Sequence, residues 1–228
     1  DRGSQVTVVR ASSGESLPML DANTMMYSAP GRVEAPLVHV GLGRVADFQG
    51  ADVRGKIALI KRGEIRFGEK VANAAAAGAV GVVIYNDRPM NVQGSLGEPS
   101  RIPAASVSIE QGEALVRLLA SGPVVLRLVV DGAIVERRAA NVIATKPGRR
   151  PETVVIGGHM DSVPAGPGAN DNASGTAVVL ELARVFAARD YPYTLRFVAF
   201  GAEEIGLIGS RHYVEQLPET ERRMLVAM

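Results

Sequence analysis

The sequence contains no cysteine. Disulfides and thiolate metal sites are therefore both excluded, and the absence suits an exported bacterial protein as well as a cytosolic one. Neither sign of charge is in excess: 25 Lys and Arg face 24 Asp and Glu, a formal net charge of +1, and no basic run stands out. Nucleic acid and anionic membrane surfaces are thus poor partners. Long apolar runs are missing too, since no segment approaches the roughly 20 residues of a membrane span. Histidine is scarce, with three in 228 residues. What is present is 46% hydrophobic residues, enough for a substantial core in one or two domains.

The chemistry concentrates in two stretches, GGHMDSVPAGPGANDNASGT from Gly157 to Thr176 and Phe200-Gly-Ala-Glu-Glu-Ile-Gly206. His159 and Asp161 follow the apolar strand Thr153-Val-Val-Ile156. Asp171 lies 12 residues after His159, in a Gly/Asn/Pro-rich loop ahead of the helical run Gly175 to Ala188. Glu203 and Glu204 close a second apolar strand, Leu195 to Phe200. All of these groups fall where strands hand over to helices, the edge at which ligands bind in open α/β sheets.

Imidazole with carboxylates is the ligand set of catalytic zinc sites, where one position is left for water. A carboxylate on a loop between two ligands can bridge a metal pair, and Asp171 is the candidate. Asp161 is placed to orient the His159 imidazole from behind. Neighbouring side chains leaving an extended backbone diverge, so of Glu203 and Glu204 one is expected to bind metal while the other faces the water. A His-x-Asp pair or a Glu-Glu pair alone is commonly a surface feature. Their coincidence at two strand ends, flanked by glycines and separated by a Gly-Ala-Asn-Asp-Asn loop, is what points to a metal site.

At GGHMDSVPAGPGANDNASGTAVVLELARVF and RFVAFGAEEIGLIGSRHYV the chain resembles the M28 family of zinc peptidases. The resemblance implies a dizinc exopeptidase, with His159 as ligand of one zinc, Asp171 as the bridging carboxylate, Glu204 as ligand of the other zinc and Glu203 as general base. It implies Asp161 as the partner of the histidine and a cis peptide bond between Asp171 and Asn172. The fold it implies is α/β, a partial mixed-sheet zinc-exopeptidase domain of the phosphorylase/hydrolase-like kind. The family needs a further Asp and His after Glu204. The apolar run Met224 to Met228 resembles the start of the strand that would bring the Asp, so both ligands are expected beyond Met228. His212, in a short helix Gly209 to Gln216, matches a non-ligand position, and His39, in the strand Ala35 to Val40, reads as a core or edge residue.

A second unit precedes these motifs. Lys56 to Ile60 reads as a buried strand, Gly68 to Gly78 as an alanine-rich helix ending at a glycine cap, and Ala79 to Tyr85 as another strand. Pro103 to Ile109 and Val124 to Val130 bracket a helix over Glu110 to Ala120. GKIALIKRGEIRFGEKVANAAAAGAVGVVIYND, with IPAASVS, resembles the protease-associated (PA) domain, a small α/β module; a flavodoxin-like fragment is the bland alternative. Arg62, Glu64 and Arg66 form a charged loop with no catalytic look. The expected division is 1–30 as an N-terminal strand and linker segment, 31–138 as the PA domain and 139–228 as the first part of the peptidase domain.

Residue 1 is Asp and the strand Gln5 to Arg10 has no leader before it, so a piece truncated at both ends is expected. The resemblance leads to the expectation of a secreted or envelope-associated zinc aminopeptidase with peptide substrates, inactive as this fragment. An M28-type carboxypeptidase and a PA-domain binding module with a metal-incompetent remnant are the alternatives.

Overall fold

The computed structural model describes residues 3–11, 19–133, 135–163 and 166–228. Residues 1–2 and 12–18 of the expected N-terminal segment, Ile134, and Pro164 and Ala165 of the Gly/Pro loop lie outside the described residues. The chain divides into two compact units, Asp1–Val135 and Glu136–Met228.

The first unit is built on a seven-stranded sheet in the order β1-β7-β3-β4-β5-β6-β2. Its strands are β1 (Gly3–Ala11), β2 (Asn23–Thr24), β3 (Gly31–His39), β4 (Ile57–Lys61), β5 (Gly81–Tyr85), β6 (Ala104–Val107) and β7 (Val124–Asp131). β3 to β6 run parallel, with β7 antiparallel to β1 and β3. β5 and β6 are buried along their whole length and β4 at all but its last residue. Continuous apolar runs are what central parallel strands covered on both faces require. Successive side chains point to opposite faces. Ile57, Leu59, Val83 and Tyr85 therefore pack with Leu115 and Leu118 of α2 (Ile109–Ser121), while Ala58, Ile60, Val82 and Ile84 pack with Val71 and Ala74 of α1 (Phe67–Ala76).

Each helix carries its own stop and start signals. α1 ends at Ala76, and Gly78 takes φ +92° while its N–H reaches back to the Ala75 carbonyl, the left-handed exit that glycine favours. Ser108 caps α2 by accepting from the Gln111 N–H, and the Gln111 side chain accepts from the Ser108 N–H in return. Gly112 lets α2 seat on β5, because a Cβ there would come within 2.1 Å of the Tyr85 Cβ. The Tyr85 hydroxyl then meets His39 Nε2 at 3.1 Å, which accounts for His39 as a sheet histidine.

Lys70 of α1 is fully buried. Its ammonium donates to the Leu42 carbonyl and, at 2.8 Å, to the Gly63 carbonyl, so it ties the segments after β3 and β4 to the helix. Burial pulls its pKa below the usual lysine value against the opposing charges of Glu64, Asp47 and Glu69.

The second unit has a four-stranded sheet in the order β11-β9-β10-β8. Its strands are β8 (Val142–Lys146), β9 (Thr153–His159), β10 (Thr194–Phe200) and β11 (Leu225–Ala227). β9, β10 and β11 are parallel, and β8 is antiparallel to β10. α3 (Ser174–Ala187) buries Val179 against Leu195 and Phe197. α4 (Ile208–Gln216) sets Tyr213 in a cluster with Val155, Val198 and Phe200. A short α5 (Glu219–Arg223) leads into β11. No helix among the described residues is long and apolar enough to cross a membrane.

Two outcomes are expected of the first unit. Lys70→Met keeps the volume but strands two carbonyls, and should lower unfolding stability by about 1–3 kcal/mol in a urea titration. Burial, with Lys61 adding to it, lowers the His39 pKa from 6.5, so the unfolded chain takes up the proton first. Stability from this group is therefore complete above the unfolded value and falls as pH drops through 6.5 toward the lower native value. His39→Gln should flatten that part of the wild-type pH profile of the urea midpoint.

Candidate metal centre

The centre begins with strand register. β9 and β10 pair in parallel from Thr153 opposite Thr194 to His159 opposite Phe200, so both strands deliver their following loops at the same sheet edge. α3 starts directly above. The Thr176 hydroxyl donates to the His159 carbonyl at 2.7 Å, and Gly158 faces the start of the helix there, a Cβ on it meeting the Gly175 carbonyl carbon at 3.4 Å. Sequence reading gave Thr176 no role.

His159 Nδ1 lies 3.0 Å from the Asp161 backbone oxygen. A carbonyl can only accept, so Nδ1 carries the proton and Nε2 is left for the site. Two carboxylates converge on Nε2: Asp171 Oδ1 at 3.0 Å and Glu203 Oε2 at 3.7 Å. Partial burial alone would lower the His159 pKa, but the Asp161 carbonyl and the charges of Glu203, Asp161 and Asp171 outweigh it and raise it.

Asp161 does more than orient the ring, and differently from the sequence expectation. Its carboxylate stands 3.7 Å from Nδ1, while its two oxygens accept the N–H groups of Glu203, at 3.1 Å, and of Glu204, at 3.2 Å. The carbonyl holds the imidazole and the carboxylate holds the glutamate turn.

That turn also corrects the expectation that Glu203 and Glu204 diverge from an extended strand. β10 stops at Phe200, and Ala202 and Leu207 take φ +56° and +59°. The left-handed region costs an ordinary residue about 1–2 kcal/mol. The Glu203 carbonyl accepts from Gly206 and Leu207 at 2.9 and 2.8 Å, closing the turn. As a result His159, Glu203 and Glu204 each offer a ligand atom, all within 4.8 Å of one another.

Asp171 belongs to a π-type turn, Ala169–Ala173, in which Asp171 and Asn172 have non-helical backbone angles. The Asp171–Asn172 peptide bond is cis, and the Asp171 side chain is 77% exposed toward solvent. His212 lies on the exposed side of α4 and His39 in the first unit's sheet, so neither joins the centre.

The donor set fits a cation. Two ligands each about 2.1 Å from one tetrahedral ion lie about 3.4 Å apart, and the Nε2 to Asp171 separation of 3.0 Å is close to that value. One imidazole with carboxylate oxygens and no sulfur is a donor set suited to zinc.

Residues 141–228 match the model of peptidase family M28 and residues 33–115 that of the PA domain. Aminopeptidase YwaD of Bacillus subtilis (strain 168) is 41% identical over 218 residues, covering 92% of this chain and 46% of its own length. Probable leucine aminopeptidase 2 of Aspergillus fumigatus is 40% identical over 209 residues, covering 89% of this chain and 42% of its own length. Among solved structures, an aminopeptidase from Aneurinibacillus sp. strain AM-1 superposes with a TM-score of 0.88 at 40% identity, over 99% of this chain and 55% of that one. BSAP, a zinc aminopeptidase from Bacillus subtilis, gives 0.74 at 37% identity, over 98% of this chain and 54% of that one. The chain thus spans about half the length of the relatives it matches. Within that span, residues 33–115 are a PA domain and residues 141–228 belong to peptidase family M28.

Proposed function

We propose that the protein carrying this chain is a zinc aminopeptidase that uses two metal ions to release N-terminal residues from peptides. The observation that carries the reading is the convergence of His159 Nε2, Asp171, Glu203 and Glu204 at the common edge of β9 and β10. The names of the relatives support it, since they are aminopeptidases and a zinc aminopeptidase.

His159 would hold one zinc, Glu204 the other, and Asp171 both, its exposed carboxylate being free to offer two oxygens. Zinc supplies a water of lowered pKa, from about 9 toward about 7, and polarises the scissile carbonyl. Glu203 accepts the water's proton at its carboxylate and returns it to the leaving amine. Asp161 keeps that carboxylate in place by gripping the Glu203 and Glu204 amides. The PA unit contributes none of these groups and would act on access of the peptide.

Glu203→Gln should retain the metal content of the wild type in the full-length protein while turnover falls about 10²–10⁴-fold. Glu204→Gln should instead release zinc on dialysis. Metal analysis beside cleavage of a free and an N-acetylated peptide tests the assignment: zinc loss in Glu203→Gln with retention in Glu204→Gln reverses the two roles, and equal cleavage of both peptides removes the aminopeptidase reading.

Asp161→Asn leaves one of two amides without an acceptor. It should destabilise the second unit by about 1–3 kcal/mol and speed amide exchange at Glu203 or Glu204, measured by hydrogen exchange on the chain itself.

A further inference from the structure

The Glu203–Glu204 turn has a second anchor besides Asp161. Asn141 immediately precedes β8, which pairs with β10 through Val142 opposite Ala199. Its side-chain Oδ1 accepts from the Gly201 N–H at 3.1 Å and its Nδ2 donates to the Gly209 carbonyl at 2.8 Å. The amide orientation is forced, because a backbone N–H only donates and a carbonyl only accepts.

Gly201 and Gly209 are the two ends of the loop that carries both glutamates. Gly201 follows the last residue of β10 and Gly209 is the second residue of α4. Both are buried and stand against each other without side chains. A Cβ on Gly209 would come within 2.2 Å of the Gly201 carbonyl oxygen and 2.4 Å of Asn141 Oδ1, and a Cβ on Gly201 within 2.6 Å of the Ala140 carbonyl oxygen. The Ile208 N–H adds a bond of 3.0 Å to the Ala202 carbonyl. Between these closed ends Ala202, Gly206 and Leu207 all have positive φ. Non-glycine residues hold such angles only where their surroundings over-determine them.

We infer that Asn141 is a positioning residue for the metal centre: its carboxamide clamps the ends of the 201–209 loop, so that Glu203 and Glu204 are aimed together at His159. The inference rests on the zinc-peptidase reading for its effect on activity. The clamp itself rests on the two hydrogen bonds and the glycine contacts alone. Asn141 touches neither the His159 ring nor the carboxylates in any hydrogen bond of the structure, so its effect passes entirely through the loop. Asparagine suits the task because a short planar fork offers one acceptor and one donor at once. Aspartate keeps the acceptor and sets a second acceptor against the Gly209 carbonyl.

The test uses three variants: Asn141→Ala, Asn141→Asp, and Leu217→Ala as a stability control, Leu217 being buried directly after α4. Hydrogen exchange at Gly201, Glu203 and Glu204 and zinc affinity are read on the full-length protein. On the full-length protein, kcat and KM for an aminoacyl substrate are read. Asn141→Ala should speed exchange at all three amides, weaken zinc about 10-fold and lower kcat about 10–100-fold with KM little changed, as a displaced catalytic group does. Asn141→Asp should fall between it and wild type, and it carries the test if the alanine variant does not fold. Leu217→Ala should lower the unfolding midpoint while leaving zinc affinity and kcat near wild type.

Unchanged exchange at Gly201 in Asn141→Ala overturns the clamp. Loss of zinc and kcat in Leu217→Ala matching that in Asn141→Ala reduces Asn141 to ordinary stability and overturns the positioning role. A wild type that binds no zinc and cleaves no peptide defeats the zinc-peptidase reading and with it the positioning role, whereas the exchange data still decide the clamp.

Discussion

The parallel pairing of β9 with β10 is the constraint from which the candidate centre follows. With His159 opposite Phe200, the loop after one strand must run beside the loop after the other. A slip of one residue would turn His159 to the opposite face of the sheet. The register is set by packing on both faces. Val155 and Val198 share one cluster, Leu195 and Phe197 the other, each cluster facing a different helix. Apolar burial thus decides where a polar site stands, although none of its groups contributes to that burial.

Around this edge the protein assembles acceptors that repel one another. Carboxylates of Asp171 and Glu203 face a single imidazole nitrogen, and Glu204 reaches the same space. Without a compensating charge such a cluster opposes its own formation. The backbone supplies the restraint. Asp161 spends its charge on two amides rather than on the ring, Thr176 fixes the strand end and Asn141 closes the loop base. A cation at this point would turn mutual repulsion into common attraction.

The first unit follows a different logic. Its sheet is sandwiched between α1 and α2 and holds a buried lysine on two carbonyls. Among the described residues, the one ionisable group fully buried in its core serves backbone carbonyls, and the His39–Tyr85 pair lies within the sheet. Nothing among these contacts gathers ligands.

Local pattern was legible from the residues alone. The apolar runs of β4, β5, β9 and β10, the alanine-rich α1 with Gly78 after it, and the Gly/Asn loop before α3 all announce themselves through periodicity and turn chemistry, which act over a few residues. The candidate ligands were legible for the same reason, since strand ends and residue types are local properties. Tertiary structure decided what those groups do to one another. That Asp161 grips amides 42 and 43 residues away, that Glu203 and Glu204 leave a turn instead of a strand, and that Asn141 bridges Gly201 and Gly209, 60 and 68 residues on, depend on strand pairing and helix seating. A hydrogen bond needs its partner within about 3 Å, and only the folded chain sets that distance between residues so far apart in sequence.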